Sequence, residues 1–220
     1  MLRNALAAVA IGFIPATASA QLVSNGGFEA PVISNQCCNT VPPDILPGWT
    51  VTAGNVNVVN GTFNGTGSPG PNLAYEGSQY LDLVGQGGTG AISQTLSLTA
   101  GMTYNLLFAY SNNGFAPNES TSASASFMID GLTGILSHNS ATASNLNWQI
   151  FSGSFVATGS DTLSFTNLSG GPNEGILLDA ISVAPVPEPA TWAMMLLGFG
   201  VMGLVMRRSR KKAGLVSQAG

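Results

Sequence analysis

Between Gln21 and Val186 apolar side chains recur at every second position, and no stretch shows the 3.6-residue period of an amphipathic helix. The clearest case is Met102, Tyr104, Leu106, Phe108 and Tyr110, which alternate with Thr103, Asn105, Leu107 and Ala109. Successive side chains of a strand point to opposite faces, so this pattern puts one face into a core. The same reasoning predicts strands over Asn55–Asn60, Gln79–Val84, Ala91–Leu98, Ser122–Asp130, Trp148–Val156, Asp161–Asn167 and Ile176–Val183. Gly85-Gln86-Gly87-Gly88-Thr89-Gly90, Asp130-Gly131 and Gly159-Ser160 are turn signals between them. Roughly eight to ten short strands predict an all-β domain over 21–185, folded as a two-sheet β-sandwich.

The charges are segregated. The chain has six Lys and Arg in 220 residues: Arg3, Arg207, Arg208, Arg210, Lys211 and Lys212. The body therefore carries Glu29, Asp44, Glu76, Asp82, Glu119, Asp130, Asp161, Glu174 and Asp179 with no base except His138. Such a surface repels phosphates, which excludes nucleic acid as a partner. It also repels acidic polysaccharide unless divalent cations bridge the two.

The bases serve the two ends. Residues 1–20 have Arg3, an apolar stretch from Ala5 to Ile14 and the small-x-small box Ala18-Ser19-Ala20, the pattern of a signal peptide cut after Ala20. At the other end Pro187-Glu188-Pro189 precedes an apolar run, Ala193–Met206, and then the basic stop. A full span takes roughly 20 residues. Thr191 and the interface-seeking Trp192 lengthen the run, and basic stems snorkel at the far end. The alternative, a buried core helix, is disfavoured because Met194–Met206 has no polar face. The basic cluster keeps residues 213–220 cytoplasmic and the body outside.

Pro187-Glu188-Pro189, Trp192-Ala193 and Arg207-Arg208 together resemble the PEP-CTERM sorting signal in its PEPxxWA form, across 186–212. That resemblance implies a Gram-negative bacterium that makes exopolysaccharide. It also implies a transient membrane form of the protein, cut near Pro187–Pro189 by the membrane protease-transpeptidase called exosortase.

The body resembles the galactose-binding-like jelly roll, near carbohydrate-binding modules and DUF642-type cell-wall domains. Leu22-Val23-Ser24-Asn25-Gly26-Gly27-Phe28-Glu29, Pro47-Gly48-Trp49 and Leu177-Leu178-Asp179-Ala180-Ile181-Ser182-Val183 carry the likeness. The resemblance implies a structural calcium held by Glu29 and Asp179. Many relatives have two adjacent acids at the closing motif, whereas this chain has Asp179-Ala180. From the residues alone, Asp179 in an unbroken strand shares a face with Leu177, Ile181 and Val183. It then needs backbone N–H groups, hydroxyls, His138 or a cation such as calcium. In the other reading Ile176, Leu178 and Ala180 face the core and Asp179 sits in water. Asp82, by its neighbours, belongs to a solvated face.

Other residues divide between plain and functional readings. Trp49 and Trp148 read as core, while Tyr75 and Phe115 lie in loop-like sequence and are the candidate glycan contacts. Cys37 and Cys38 are adjacent, which leaves a vicinal disulfide, free thiols or an intermolecular bridge. Catalysis finds little: His138 is alone and reads as a surface residue, no nucleophile elbow is present, and Glu76, Glu119 and Glu174 are scattered. The expectation is a non-enzymatic surface or matrix protein with a structural or adhesive role. A carbohydrate-binding module is the alternative, and a glycoside hydrolase a distant third.

Overall fold

The computed structural model describes residues 22–33, 38–41, 46–63, 70–85, 88–115, 122–171, 174–187, 195–204 and 207. In chain order the strands are β1 (Cys38–Val41), β2 (Thr50–Ala53), β3 (Val56–Asn60), β4 (Gln79–Asp82), β5 (Val84–Gly85), β6 (Gly88–Thr89) and β7 (Ala91–Leu96). They continue with β8 (Thr103–Asn112), β9 (Ala123–Ile129), β10 (Leu132–His138), β11 (Gln149–Val156), β12 (Asp161–Ser169) and β13 (Ile176–Pro185). They form a six-stranded sheet in the order β1-β3-β4-β13-β8-β11 and a five-stranded sheet in the order β10-β9-β12-β7-β2. The predicted glycine loop is itself a small hairpin, β5-β6. The domain is an antiparallel two-sheet sandwich of jelly-roll type, as the alternation required.

The inward rows of both sheets meet in one core. Phe108 is its centre, with ring centroids 4.9 Å from Phe151, 5.1 Å from Phe165 and 5.4 Å from Phe127. Each such pair adds about 0.5–1.5 kcal/mol beyond the area it buries. A second cluster lies on the outer face of the six-stranded sheet, where Val59, Tyr80 and Leu177 are covered by Ala141, Leu146 and the half-buried Phe63, Leu73, Phe115 and Trp148. This cover makes β4 buried at every position and hides the alternation there.

Two features position the site. The register of β13 on β8 shifts between Asp179 and Ser182, and Ala180 at the shift has φ 51°. This β-bulge reverses the side-chain parity. Leu177 and Asp179 lie on the outer face, while Ile181 and Val183 return to the sandwich core. The expected single face from Leu177 to Val183 is therefore corrected. Second, the opening segment is tied to the bulge, because the Ile181 N–H donates to the Gly26 carbonyl at 2.9 Å.

A helix, α1 (195–204), lies within the C-terminal apolar run, and its residues are exposed. Among the described residues no helix is long and apolar enough to cross a membrane. The expectations for residues 1–20, Cys37, Glu119, Glu188, Pro189, Trp192, Ala193, Arg208, Arg210, Lys211 and Lys212 lie outside the described residues, as does the Cys38 side chain.

Candidate functional site

A cleft of about 450 Å³ opens where the first and last segments of the sandwich meet. Asn25, Gly26, Gly27 and Glu29 form one wall, Tyr75, Glu76 and Gly77 another, and Ala180, Ile181 and Ser182 the third. At two of the three glycines here a side chain has no room. A Cβ on Gly26 would lie 2.0 Å from the Ile181 carbonyl oxygen, and one on Gly77 2.2 Å from Glu29 Oε1.

Two carboxylates hold the 75–79 loop. Asp179 Oδ2 accepts from the Tyr75 and Glu76 N–H groups at 2.9 and 3.0 Å, and Oδ1 from the Ala180 N–H at 2.7 Å. Glu29 Oε1 accepts from the Ser78 and Gln79 N–H groups at 2.7 and 3.0 Å. Asp179 is fully buried, so the reading that set it in water is corrected: the bulge turns it under the loop. Burial pushes its carboxyl up to about 7, three backbone N–H groups pull it back, and the Glu29 charge adds to the rise. The two acids predicted from the sequence are thus brought to one loop. Gly27 lies between them, where a Cβ would be 3.7 Å from Asp179 Oδ1 and 4.0 Å from Glu29 Cγ.

Tyr75 is 47% exposed at the rim. Its ring stands edge-on to Trp148, with centroids 6.3 Å apart. Trp148 packs in turn on Tyr80 at 5.8 Å and donates its indole N–H to the Leu73 carbonyl at 2.8 Å. The second glycan candidate, Phe115, is half-buried against Phe63 at 5.2 Å, in the outer-face cluster that also takes Trp148. Trp49 is core, as expected, whereas Trp148 is half-buried beside Tyr75. No local pattern signals the Tyr75–Trp148 pairing, because 73 residues separate the two.

Asp82 and His138 are buried, against expectation: Asp82 lies on the covered outer face of the six-stranded sheet, and the His138 ring, at the end of β10, packs against Asn112, Tyr110 and Asn147. Asp82 accepts from the Val84 N–H and from Asn113 Nδ2, both at 2.9 Å. Its burial, opposed by these bonds and one from the Gly175 N–H, pushes the carboxyl up to about 7, with Glu174 adding to the rise. His138 Nε2 lies 2.9 Å from the Asn147 carbonyl oxygen, which only accepts, so this nitrogen carries the proton. A ring nitrogen so engaged is no base for Ser140 Oγ at 3.4 Å. Of the scattered glutamates, Glu76 lines the cleft and Glu174 is buried beside Asp82.

Residues 21–184 match the family described as "Protein of unknown function (DUF642)", and residues 185–211 match the PEP-CTERM protein-sorting motif. The tail implies an exported protein. No curated protein matches the chain. Solved structures similar to it include TmCBM61 in complex with β-1,4-galactotriose, at 15% identity and TM-score 0.49 over 76% of this chain and 100% of that one. A CBM4 structure aligns at 15% identity and TM-score 0.41 over 74% and 99%. The CBM22-1 xylan-binding domain of Paenibacillus barcinonensis Xyn10C aligns at 18% and TM-score 0.41 over 64% and 87%.

Proposed function

The chain belongs to the DUF642 family, and from that premise we propose that it is an exported surface or extracellular-matrix protein with a structural or adhesive role. The observation that carries this reading is the sorting motif at 185–211, directly after the last strand. The tail holds the newly exported chain in the inner membrane as a transient single-pass form. An exosortase-type protease then cuts near Pro187–Pro189 and passes the sandwich to the surface.

The sandwich works there by binding, without catalysis, and its ligand is extracellular polysaccharide. Support comes from the cleft with Tyr75 exposed at its rim. A ring held edge-on by Trp148 offers a flat apolar face to a sugar at low entropic cost. Glycan-array binding of the full chain in mild detergent, with and without calcium, tests this. Saturable binding that Tyr75→Ala weakens at least about tenfold, roughly the stacking energy of one ring, is the expected result. Failure to bind any glycan in either condition removes the polysaccharide and leaves the adhesive role.

A structural calcium belongs to the same reading. The donor set fits in kind: Glu29 and Asp179 would be anionic oxygen ligands, and the body has no Lys or Arg to compete. Among the described residues no group of three or more His, Cys, Asp or Glu gathers for a metal, so main-chain oxygens would have to supplement the two acids. A bound cation would supply positive charge to two like-charged acids, one on the opening segment and one on the closing strand.

A further inference from the structure

Strand β11 is an outer edge of the six-stranded sheet. Among the described residues it pairs with β8 alone, without a register shift, and its other row of backbone N–H and C=O groups faces outward. Edge strands are ordinarily blunted by Lys, Pro, a bulge or an inward charge. The sequence of β11, Gln149-Ile150-Phe151-Ser152-Gly153-Ser154-Phe155-Val156, contains none of these.

The same eight residues are close to a palindrome about Gly153. Ser152 and Ser154 flank it, then Phe151 and Phe155, then Ile150 and Val156. A two-fold axis pairs a strand with its own copy antiparallel, so each residue meets its mirror position. With the axis at Gly153, Ile150 meets Val156 of the second copy, ring meets ring and hydroxyl meets hydroxyl. Such β-branched, aromatic and hydroxyl cross-strand pairs stabilise sheets. Burial has the matching parity: Ile150, Ser152, Ser154 and Val156 are exposed, Phe155 is buried and Phe151 half-buried. Ile150 and Val156 are 46% and 57% exposed.

Charge does not oppose pairing at this place. The body has nine acids and no Lys or Arg, because Glu188 is the tenth acid of the chain, so two copies repel over most of their surface. β11 and the outward residues of β8 beside it, Thr103, Asn105 and Leu107, bring no charge to the seam. The edge strand of the other sheet, β10, runs beside β11 and carries the 75%-exposed Ile135 and no carboxylate.

We propose that β11 is a self-pairing edge, through which two copies of this chain join antiparallel about Gly153 and merge their six-stranded sheets into one. The proposal rests on the edge alone and goes beyond the adhesive reading, independently of glycan, calcium or sorting.

Sedimentation velocity of the full chain in mild detergent, over a range of concentrations, tests it. The unsubstituted chain is expected to dimerise reversibly. Ser152→Glu with Ser154→Glu sets like charges against each other twice and is expected to weaken the dimer roughly tenfold or more. Ser152→Lys with Ser154→Glu sets opposite charges against each other in this register alone and is expected to restore it. Both serines are exposed, and an unchanged sheet signal in circular dichroism confirms folding of each variant. A chain that stays monomeric at about millimolar concentration overturns the proposal. So does a dimer indifferent to the two glutamates, or a charge-swapped variant as dissociated as the double-glutamate one.

Discussion

Asp179 and Asp82 are buried acids in a body without Lys or Arg, and their cost of ionisation shapes the pH response of the domain. Each has a folded-state carboxyl pushed up to about 7 from 3.8. Between those values the folded chain holds a proton that the unfolded chain has lost, so stability falls as pH rises from about 4 to about 7. The slope approaches about 1.4 kcal/mol per pH unit for each group. With a chelator present, the melting midpoint is expected to be higher at pH 5 than at pH 8, and Asp82→Asn with Asp179→Asn to flatten the curve. A midpoint that rises with pH contradicts the assignment. The proposed calcium would act on one of the two acids, Asp179, and in the ionised range. At pH 8 and a hundredfold excess over its dissociation constant it adds about 2.7 kcal/mol, or roughly 5–10 °C at 2–4 °C per kcal/mol. Asp179→Asn is expected to abolish that gain and Asp82→Asn to spare it. A midpoint indifferent to calcium and chelator alike removes the metal.

At the scale of elements, what could be read from the sequence was what depends on local period. β8 and β12 were placed within a residue or two because their alternation is unbroken. β10 was missed because Gly134 sits in its inward row. The Phe127 ring fills the space its side chain would need, 2.5 Å from a Cβ there, and only the folded pair shows that. The bulge at Ala180 was invisible for the same reason, and with it the true face of Asp179. The pairing of Glu29 with Asp179 was legible through the family resemblance. The loop they hold was not, because its ligands are main-chain N–H groups with no sequence signature. The contact between Gly26 and the bulge yields a contrast within one tripeptide. Gly26→Ala forces a Cβ to 2.0 Å from backbone at Ile181, whereas Gly27→Ala meets its nearest atom at 3.7 Å. Urea unfolding is expected to show a loss of about 1–3 kcal/mol for Gly26→Ala and a clearly smaller one for Gly27→Ala. Equal losses would mean that the bulge yields easily and does not lock the opening segment.

For the molecule as a whole, the distribution of charge follows its route. All six cationic side chains lie at Arg3 or from Arg207 to Lys212, in the two segments proposed to meet a membrane during export. The sandwich between them carries acids without Lys or Arg and is rich in hydroxyl and amide side chains. If the ends are addresses, they are absent from the working protein. The mature form then starts after Ala20, ends near Pro187–Pro189 and contains no Lys or Arg. Intact-mass measurement of the exported form is expected to show both losses, and isoelectric focusing a shift to a lower point than the whole-chain value of about 4.6. Replacing Pro187, Glu188 and Pro189 together by alanine is expected to leave the tail attached and the chain in the membrane fraction. An exported species that still ends at Gly220 would argue against sorting. The tail would then be a permanent anchor, with its bases retained to hold it in the membrane.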